Sequence, residues 1–335
     1  MKKVIITGGA GYIGSHTAVA LHSAGFTPII IDNLSNSSEY NIIGISKLIN
    51  YSVKWYNIDC LEYEKLYEIF KKEQEIIGVI HFAAFKSIKE SIKKPKKYFE
   101  NNIGSLKNII SIMEILNIKN LLFSSSCTVY GEPKHIPVEE NADFKAPLSP
   151  YSETKQICEK MLEKTDLNTI SLRFFNPIGN HSSNLIGDCS KSESNNLVPL
   201  IAQAAVGKRK FITVNGDNYN TSDGSCIRDF INVIDLSNAH IYALEYLIKN
   251  QIKKIFNIGT GKGISVLEII KYFEKSNNLK INYKIGPRRS GDVEAIFANV
   301  EAAKKELKWN TQVSIEDSMK TAFSWEETIY NQNIS

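Results

Sequence analysis

Short apolar runs alternate with longer stretches of helical periodicity through the first half of the chain. Val4–Thr7, Ile29–Ile31, Val53–Ile58, Val79–Phe82, Leu121–Ser124 and Ile170–Phe174 read as buried strands. Tyr12–Ala24, Leu61–Lys72, Pro95–Leu116 and Tyr151–Leu162 read as the helices between them. This rhythm predicts an α/β fold, a Rossmann-like doubly wound parallel sheet with helices on both faces.

After about Pro177 the rhythm breaks. Residues 180–196 are polar and contain glycine, which predicts a long surface loop. Asp235–Leu247 and Val266–Glu274 each follow a short strand, and Ala298–Leu307 and Ile315–Tyr330 read as late surface helices. The expected organisation is a first domain over residues 1–176 and a smaller mixed α/β C-terminal lobe over 177–330. Segments around 231–260 are expected to return to the first domain. The tail Tyr330–Ser335 has nothing to pack against and is expected to fray. A chain of 335 residues exceeds the roughly 250–300 at which one core stops growing, in keeping with an added lobe.

Composition narrows the function classes. Hydrophobic residues make up 43% and charged residues 23%, as in soluble globular proteins. No apolar run approaches the ~20 residues of a membrane span, and the opening MKKVIITGG reads as a strand rather than a signal peptide. The formal charge of +4 is too small to point to nucleic acid. Six lysines between Lys86 and Phe99 read as a solvated helix face, since no aromatic residues interleave with them as a nucleic-acid surface would require. Five cysteines at wide spacing, with no C-x-x-C pair, argue against a disulfide framework or a structural metal and favour a reducing cytoplasm.

Chemistry enters with the glycines. Gly9 to Gly14 fits G-x-G-x-x-G, and Gly8, Gly11 and Gly14 fit G-x-x-G-x-x-G. The motif leaves a β-branched strand and opens an apolar-faced helix. A dinucleotide needs that setting: a tight turn, backbone close to the pyrophosphate, and a helix N-terminus aimed at it. The second strand ends in Asp32, 18 residues after Gly14. A carboxylate there accepts from ribose hydroxyls and repels a 2′-phosphate, which favours NAD over NADP.

Tyr151 and Lys155 form Y-x-x-x-K at the start of a predicted helix, on one helical face. A neighbouring ammonium is expected to lower the tyrosine's pKa and make it a base for a sugar or alcohol hydroxyl as hydride leaves the carbon. Ser126 closes the serine run at the end of Leu121–Ser126, at the sheet edge where open parallel sheets bind ligands. Its hydroxyl is a candidate partner for the reacting oxygen.

The stretches TGGAGYIGSH, IDNLSNS, HFAAFKSIKES, FSSSCTVYGEP, SPYSETK, RFFNPIGNH, GSCIRDFINVIDL and PRRSGD span nearly the whole chain in order. Together they resemble the UDP-glucose 4-epimerase (UDP-galactose 4-epimerase) family of the extended short-chain dehydrogenase/reductase superfamily. The resemblance implies NAD-dependent 4-epimerisation of UDP-hexoses through a 4-keto sugar, in a homodimer built on Pro95–Leu116 and Tyr151–Leu162. It assigns catalysis to Ser126, Tyr151 and Lys155. It assigns NAD binding to these three and to Gly8, Gly11, Tyr12, Ile13, Gly14, Asp32, Asn33, Asn36, Asp59, Cys60, Phe82, Lys86, Asn101 and Phe175. For the nucleotide sugar it points to Asn176, Asn196, Leu197, Asn215, Arg228, Arg289 and Asp292, with Lys86, Ser126 and Tyr151. The two arginines suit a diphosphate through paired hydrogen bonds.

Ile296 stands where the family resemblance places a residue beside the hexose, and it is smaller than the tyrosine that excludes 2-acetamido sugars. UDP-N-acetylhexosamines are therefore expected as secondary substrates. The other reading is that Ile296 packs in the core of the lobe. Phe174, Phe230 and Asn215 depart from the family pattern, in which aromatic residues, tyrosine at the first two, are common. A nucleotide-sugar 4,6-dehydratase is disfavoured because Cys127–Tyr130 holds no carboxylate. A non-catalytic NAD or nucleotide-sugar sensor is disfavoured by the intact trio.

Overall fold

The computed structural model describes residues 2–191, 196–289 and 291–332. At its centre lies a seven-stranded sheet, entirely parallel. The chain enters through β1 (Lys3–Thr7), α1 (Tyr12–Ser23), β2 (Thr27–Ile31), α2 (Glu39–Ile49), β3 (Lys54–Tyr56) and α3 (Tyr63–Lys72). It continues through β4 (Ile76–His81), α4 (Ile88–Lys93), α5 (Pro95–Tyr98), α6 (Gly104–Ile115), β5 (Asn120–Ser126), α7 (Pro150–Lys164) and β6 (Asn168–Phe174). After an excursion, α9 (Val233–Asn250) and β11 (Lys253–Ile258) complete the sheet in the order β11-β6-β5-β4-β1-β2-β3. The direction of winding reverses at β1, which pairs with β2 on one side and β4 on the other. The crevice beyond the carboxyl ends of β1 and β4 is therefore the switch point of the sheet.

Strand residues feed two cores by simple alternation. Val4, Ile6, Ile30, Ile80 and Leu122 pack against α1, α2 and α9. Ile5, Ile29, Ile31, Val79, Leu121 and Phe123 pack on the opposite face, against α3, α6 and α7. Burial on both faces explains why these strands read as continuous apolar runs.

The excursion builds the rest from shorter pieces. β7 (Asn176–Ile178) pairs with β10 (Phe230–Asn232), and β8 (Ile212–Asn215) with β13 (Tyr283–Gly286). β9 (Ile227–Arg228) sits between β12 (Ile264–Ser265) and β14 (Ala295–Ile296). α8 (Leu197–Ala205), α10 (Val266–Asn277) and α11 (Ile315–Asn331) cover these strands and share a third core. Among the described residues no helix is long and apolar enough to cross a membrane.

Four expectations change. The helix expected over Pro95–Leu116 is split by a π-helical turn at Phe99–Ile103. Ala298 bridges to Val138 instead of starting a helix, and helical turns begin only at residue 301. Tyr330 belongs to α11, while 333–335 lie outside the described residues. The stretch expected as a surface loop is docked into the molecule, with Ile186 fully buried in the core beneath α2. Residues 192–195 of that stretch, and Ser290 of the R-R-S-G-D motif, lie outside the described residues.

Candidate active site

The glycine turn is built for close approach. Gly8 has a φ of 71°, and a Cβ on Gly14 would fall 2.3 Å from the Gly8 carbonyl oxygen. No side chain caps the N-terminus of α1, and no acidic residue lies in its first turn. An uncapped helix start with a positive dipole end fits a diphosphate. At the end of β2, Asp32 Oδ2 accepts from the Ala10 amide at 3.0 Å, while Oδ1 accepts from Leu34 N at 2.9 Å and Ser37 Oγ at 2.7 Å. These bonds tie the acid to the glycine turn and leave acceptor capacity for a ribose diol.

The other predicted cofactor residues divide by environment. Asn33 donates to Asp59 Oδ2 at 2.8 Å, beside Cys60, whose thiol is pushed up by burial. Asn36 and Lys86 line the cleft described below. The Tyr12 hydroxyl bonds to the Gly179 carbonyl, and the Ile13 side chain packs on the main core, so both side chains are committed to the protein. Phe82 packs on His240 at 4.8 Å, Asn101 donates to Asn102 Oδ1 at 3.1 Å, and Phe175 is buried in a small fourth core.

Ser126, Tyr151 and Lys155 converge where β5 ends and α7 begins. Ser149 caps α7, accepting from Ser152 N at 3.2 Å, and Pro150 occupies the first turn without losing a needed donor. Tyr151 is buried beside Ser126. Burial raises its phenol to about 12, and the hydrogen bond with Ser126 partly opposes that rise. Lys155 Nζ donates to the Ser124 carbonyl at 2.6 Å and lies 4.7 Å from the Phe123 ring centroid and 6.0 Å from that of Tyr151. Burial lowers the ammonium to about 8. In the cofactor-free protein burial thus moves the tyrosine opposite to the expected lowering, and the neighbouring ammonium is itself desolvated and bonded to a carbonyl.

Beside the trio opens a cleft of about 1170 Å³. Asn176, Asn196, Leu197, Asn215, Arg228, Arg289, Asp292 and Ile296 line it together with Lys86, so the structure brings these predicted sugar-nucleotide residues into one space, while Ser126 and Tyr151 are not part of its lining. Arg289 makes a two-pronged contact with Asp292, at 2.8 and 3.1 Å, and Arg228 reaches the same carboxylate at 3.5 Å. Both guanidinium groups are thereby held on one wall. Ile296 stands in register with Arg228 across β14 and β9 and is also buried among Val129, Phe175 and Val293. Its two expected roles thus meet at a core residue on the cleft wall. Among the departing residues, Phe230 also lines the cleft, while Phe174 sits 6.4 Å from His240.

Residues 4–259 match the NAD dependent epimerase/dehydratase family. The chain belongs to that family. It is 42% identical over 330 residues to the UDP-glucose 4-epimerase of Dictyostelium discoideum, covering 97% of this chain and 95% of that protein. It is 38% identical over 338 residues to that of Homo sapiens, covering 97% of each. Its structure is similar to UDP-glucose 4-epimerase from Stenotrophomonas maltophila with bound NAD and formylated UDP-arabinopyranose. That match has a TM-score of 0.96 and 36% identity, covering 99% of this chain and 100% of the other. The Bifidobacterium longum enzyme in complex with NAD+ and UDP gives 0.93 at 36% identity, covering 98% and 99%.

In this epimerase/dehydratase-family chain, sequence reasoning missed the residues that hold the trio. Glu159, one turn beyond Lys155, takes Arg173 in a buried bidentate pair, with bonds of 2.6 to 3.2 Å, and also accepts from Ser125 Oγ. The peptide between the Ser124 carbonyl and the Ser126 hydroxyl is thus anchored to α7. The available signal was an acid four residues after Lys155 with an arginine in the following strand. Asp229 was also missed. It is fully buried and gathers the amides of Thr260, Gly261 and Ala298 beneath the cleft wall.

Proposed function

We propose that this chain interconverts UDP-galactose and UDP-glucose with a resident NAD, through a 4-keto sugar. The observation that carries this reading is the Ser126–Tyr151–Lys155 cluster beside a cleft walled by two arginines on a shared carboxylate. Residues 1–176, with segments around 231–260, form the cofactor domain in this reading, and 177–330 mainly the sugar-nucleotide lobe. The glycine turn, the α1 N-terminus and Asp32 hold the cofactor, with Asn33, Asn36, Asp59, Cys60, Phe82, Lys86, Asn101 and Phe175 around it. When bound, NAD would supply the hydride acceptor and a positive charge that favours the phenolate.

Tyr151 takes the proton of the sugar 4-hydroxyl as hydride leaves C4, and Ser126 hydrogen-bonds the same oxygen. Lys155, fixed on the Ser124 carbonyl, stabilises the resulting phenolate. Arg228 and Arg289 hold the diphosphate while the keto sugar presents its other face. Hydride return to C4 and proton return from Tyr151 then give the 4-epimer. The cleft beside the trio, of about 1170 Å³, supports a turn of the keto sugar in place.

Ile296 in place of a larger ring admits UDP-N-acetylhexosamines as secondary substrates in this reading. The working form is a homodimer across the helices of Pro95–Leu116 and Tyr151–Leu162, in the cytoplasm, which sedimentation and fractionation test. The deciding experiment is incubation of NAD-loaded protein with UDP-galactose and no added oxidant. UDP-glucose is the expected product. No conversion overturns the proposal, and a 4-keto-6-deoxy product identifies a dehydratase instead.

A further inference from the structure

The segment 184–191 leaves the second lobe and lies across the cofactor half, and one fully buried amide pins it there. Asn41, in the first turn of α2, donates from Nδ2 to the Ala10 carbonyl at 2.9 Å and to the Gly187 carbonyl at 2.9 Å. Its Oδ1 accepts from Gly187 N at 3.0 Å. Ala10 is the residue between the glycines of the turn, and its own N–H goes to Asp32. Two successive peptides of the cofactor turn, on either side of the Ala10 Cα, are therefore held, one by Asp32 and one by Asn41. Through Asn41 it is joined to a segment more than 140 residues away in sequence.

The rest of the segment is held along the same line. Tyr40 OH donates to the Asn184 carbonyl at 2.9 Å, and Ile186 is buried under α2. Asp188 reaches Lys86 at 3.6 Å, and Lys191 Nζ donates to the Leu34 carbonyl at 2.7 Å. Leu34 lies in the loop after Asp32, and Lys86 follows β4. The segment thus touches the β2 loop and the β4 loop and reaches the glycine turn through Asn41, so it is tied to the three parts of the chain that surround the switch point.

We propose that Asn41 is a positioning residue for cofactor retention, and that segment 184–191 is a strap whose attachment slows release of the dinucleotide. The proposal rests on the NAD reading above and adds to it. Asn41 touches no reacting atom. It holds the Ala10 peptide and the strap, so it sets how long the cofactor stays rather than how the sugar reacts.

The test is the release rate of NAD from purified holoprotein diluted into excess etheno-NAD, followed by fluorescence, for the wild type, Asn41→Leu, Asn41→Asp and Lys191→Ala. The unfolding midpoint of the cofactor-stripped protein is measured in parallel. Asn41→Leu keeps the size but removes every hydrogen bond, and release should speed up on the order of tenfold because buried partners are left unpaired. Asn41→Asp keeps only the acceptor toward Gly187 N and should fall between. Lys191→Ala removes an exposed tether and should give an increase of about threefold or less. A merely structural Asn41 would lower the midpoint and leave release well below that temperature unchanged. If Asn41→Leu does not fold, the Asp variant and Lys191→Ala decide. Wild-type release rates in variants that bind NAD overturn the strap and leave the NAD reading intact. A wild type that takes up no NAD overturns both.

Discussion

The two halves of the molecule meet at one cleft but are stabilised by different means. In the sheet half, side chains alternate into two large cores, and the helix that carries Tyr151 and Lys155 is bolted to β5 and β6 by the buried Glu159–Arg173 pair. In the second lobe, strands of two to four residues form sheets of two or three strands. There Arg228 and Arg289, 61 positions apart, are brought together by sharing Asp292. In the proposed function, the rigid half is given the groups that must meet the reacting atoms within tenths of an ångström, and the lighter lobe the groups that grip and select. The difference predicts a division of kinetic effects.

The largest effect belongs to the rigid half. Tyr151→Phe removes the proposed proton acceptor and little volume, so kcat should fall about 10²–10⁴-fold with UDP affinity unchanged. Equal loss of UDP binding, measured by calorimetry, would break the division. In the second lobe, Arg228→Met removes from the cleft wall a charged donor that the proposed function sets against the diphosphate. KM should rise about 10–100-fold, as expected for hydrogen bonds to charged groups, with kcat changed far less. A fall confined to kcat would place Arg228 with the reacting groups instead.

Selectivity is a smaller matter. Ile296 presents its edge to the cleft and its body to Val129, Phe175 and Val293. Ile296→Tyr should cut turnover of UDP-N-acetylhexosamines roughly tenfold, within the ~1–3 kcal/mol that one apolar pocket contact provides, and leave UDP-galactose nearly untouched. Equal loss on both substrates would show that the core role dominates and that Ile296 is no gate.

The same contrast explains what the sequence made legible. The glycine turn, Asp32 and Y-x-x-x-K are local patterns whose chemistry depends on spacing within one strand–turn–helix unit. Long-range contacts left no such trace. Residues 180–196 read as an exposed loop because they are polar, yet Ile186 is buried and Asn41 takes up the Gly187 backbone. A polar segment can be buried when its hydrogen bonds are supplied by a partner far away in sequence. α2 itself escaped notice because glycine and asparagine interrupt its apolar pattern, and those same positions receive the strap. The setting of Tyr151 was hidden for a related reason. Spacing places a lysine one turn away, but only packing reveals the burial that raises the phenol in the cofactor-free protein.

That desolvation gives the last prediction, which concerns stability rather than turnover and separates the halves in that respect. Arg228 and Arg289 face a carboxylate, whereas Lys155 is buried against a neutral carbonyl and an aromatic ring. Burial lowers its ammonium from 10.5 to about 8. Between these two values the unfolded chain still binds the proton and the folded chain does not. Wild-type stability contributed by this group therefore rises as pH increases from about 8 to 10.5. Below that window both states are protonated, and the folded protein bears the full cost of a buried charge. Lys155→Met carries no such cost. In cofactor-free protein, its stability relative to the wild type should be highest below pH 8 and should decline across the window. The decline should be on the order of 1 kcal/mol per pH unit, read by urea denaturation at each pH. Activity would be lost while stability is gained, as expected where a catalytic group is held in an unfavourable setting. A difference that stays flat or grows with pH would mean that Lys155 keeps its ordinary affinity for the proton, and that α7 carries its ammonium at no cost to the fold.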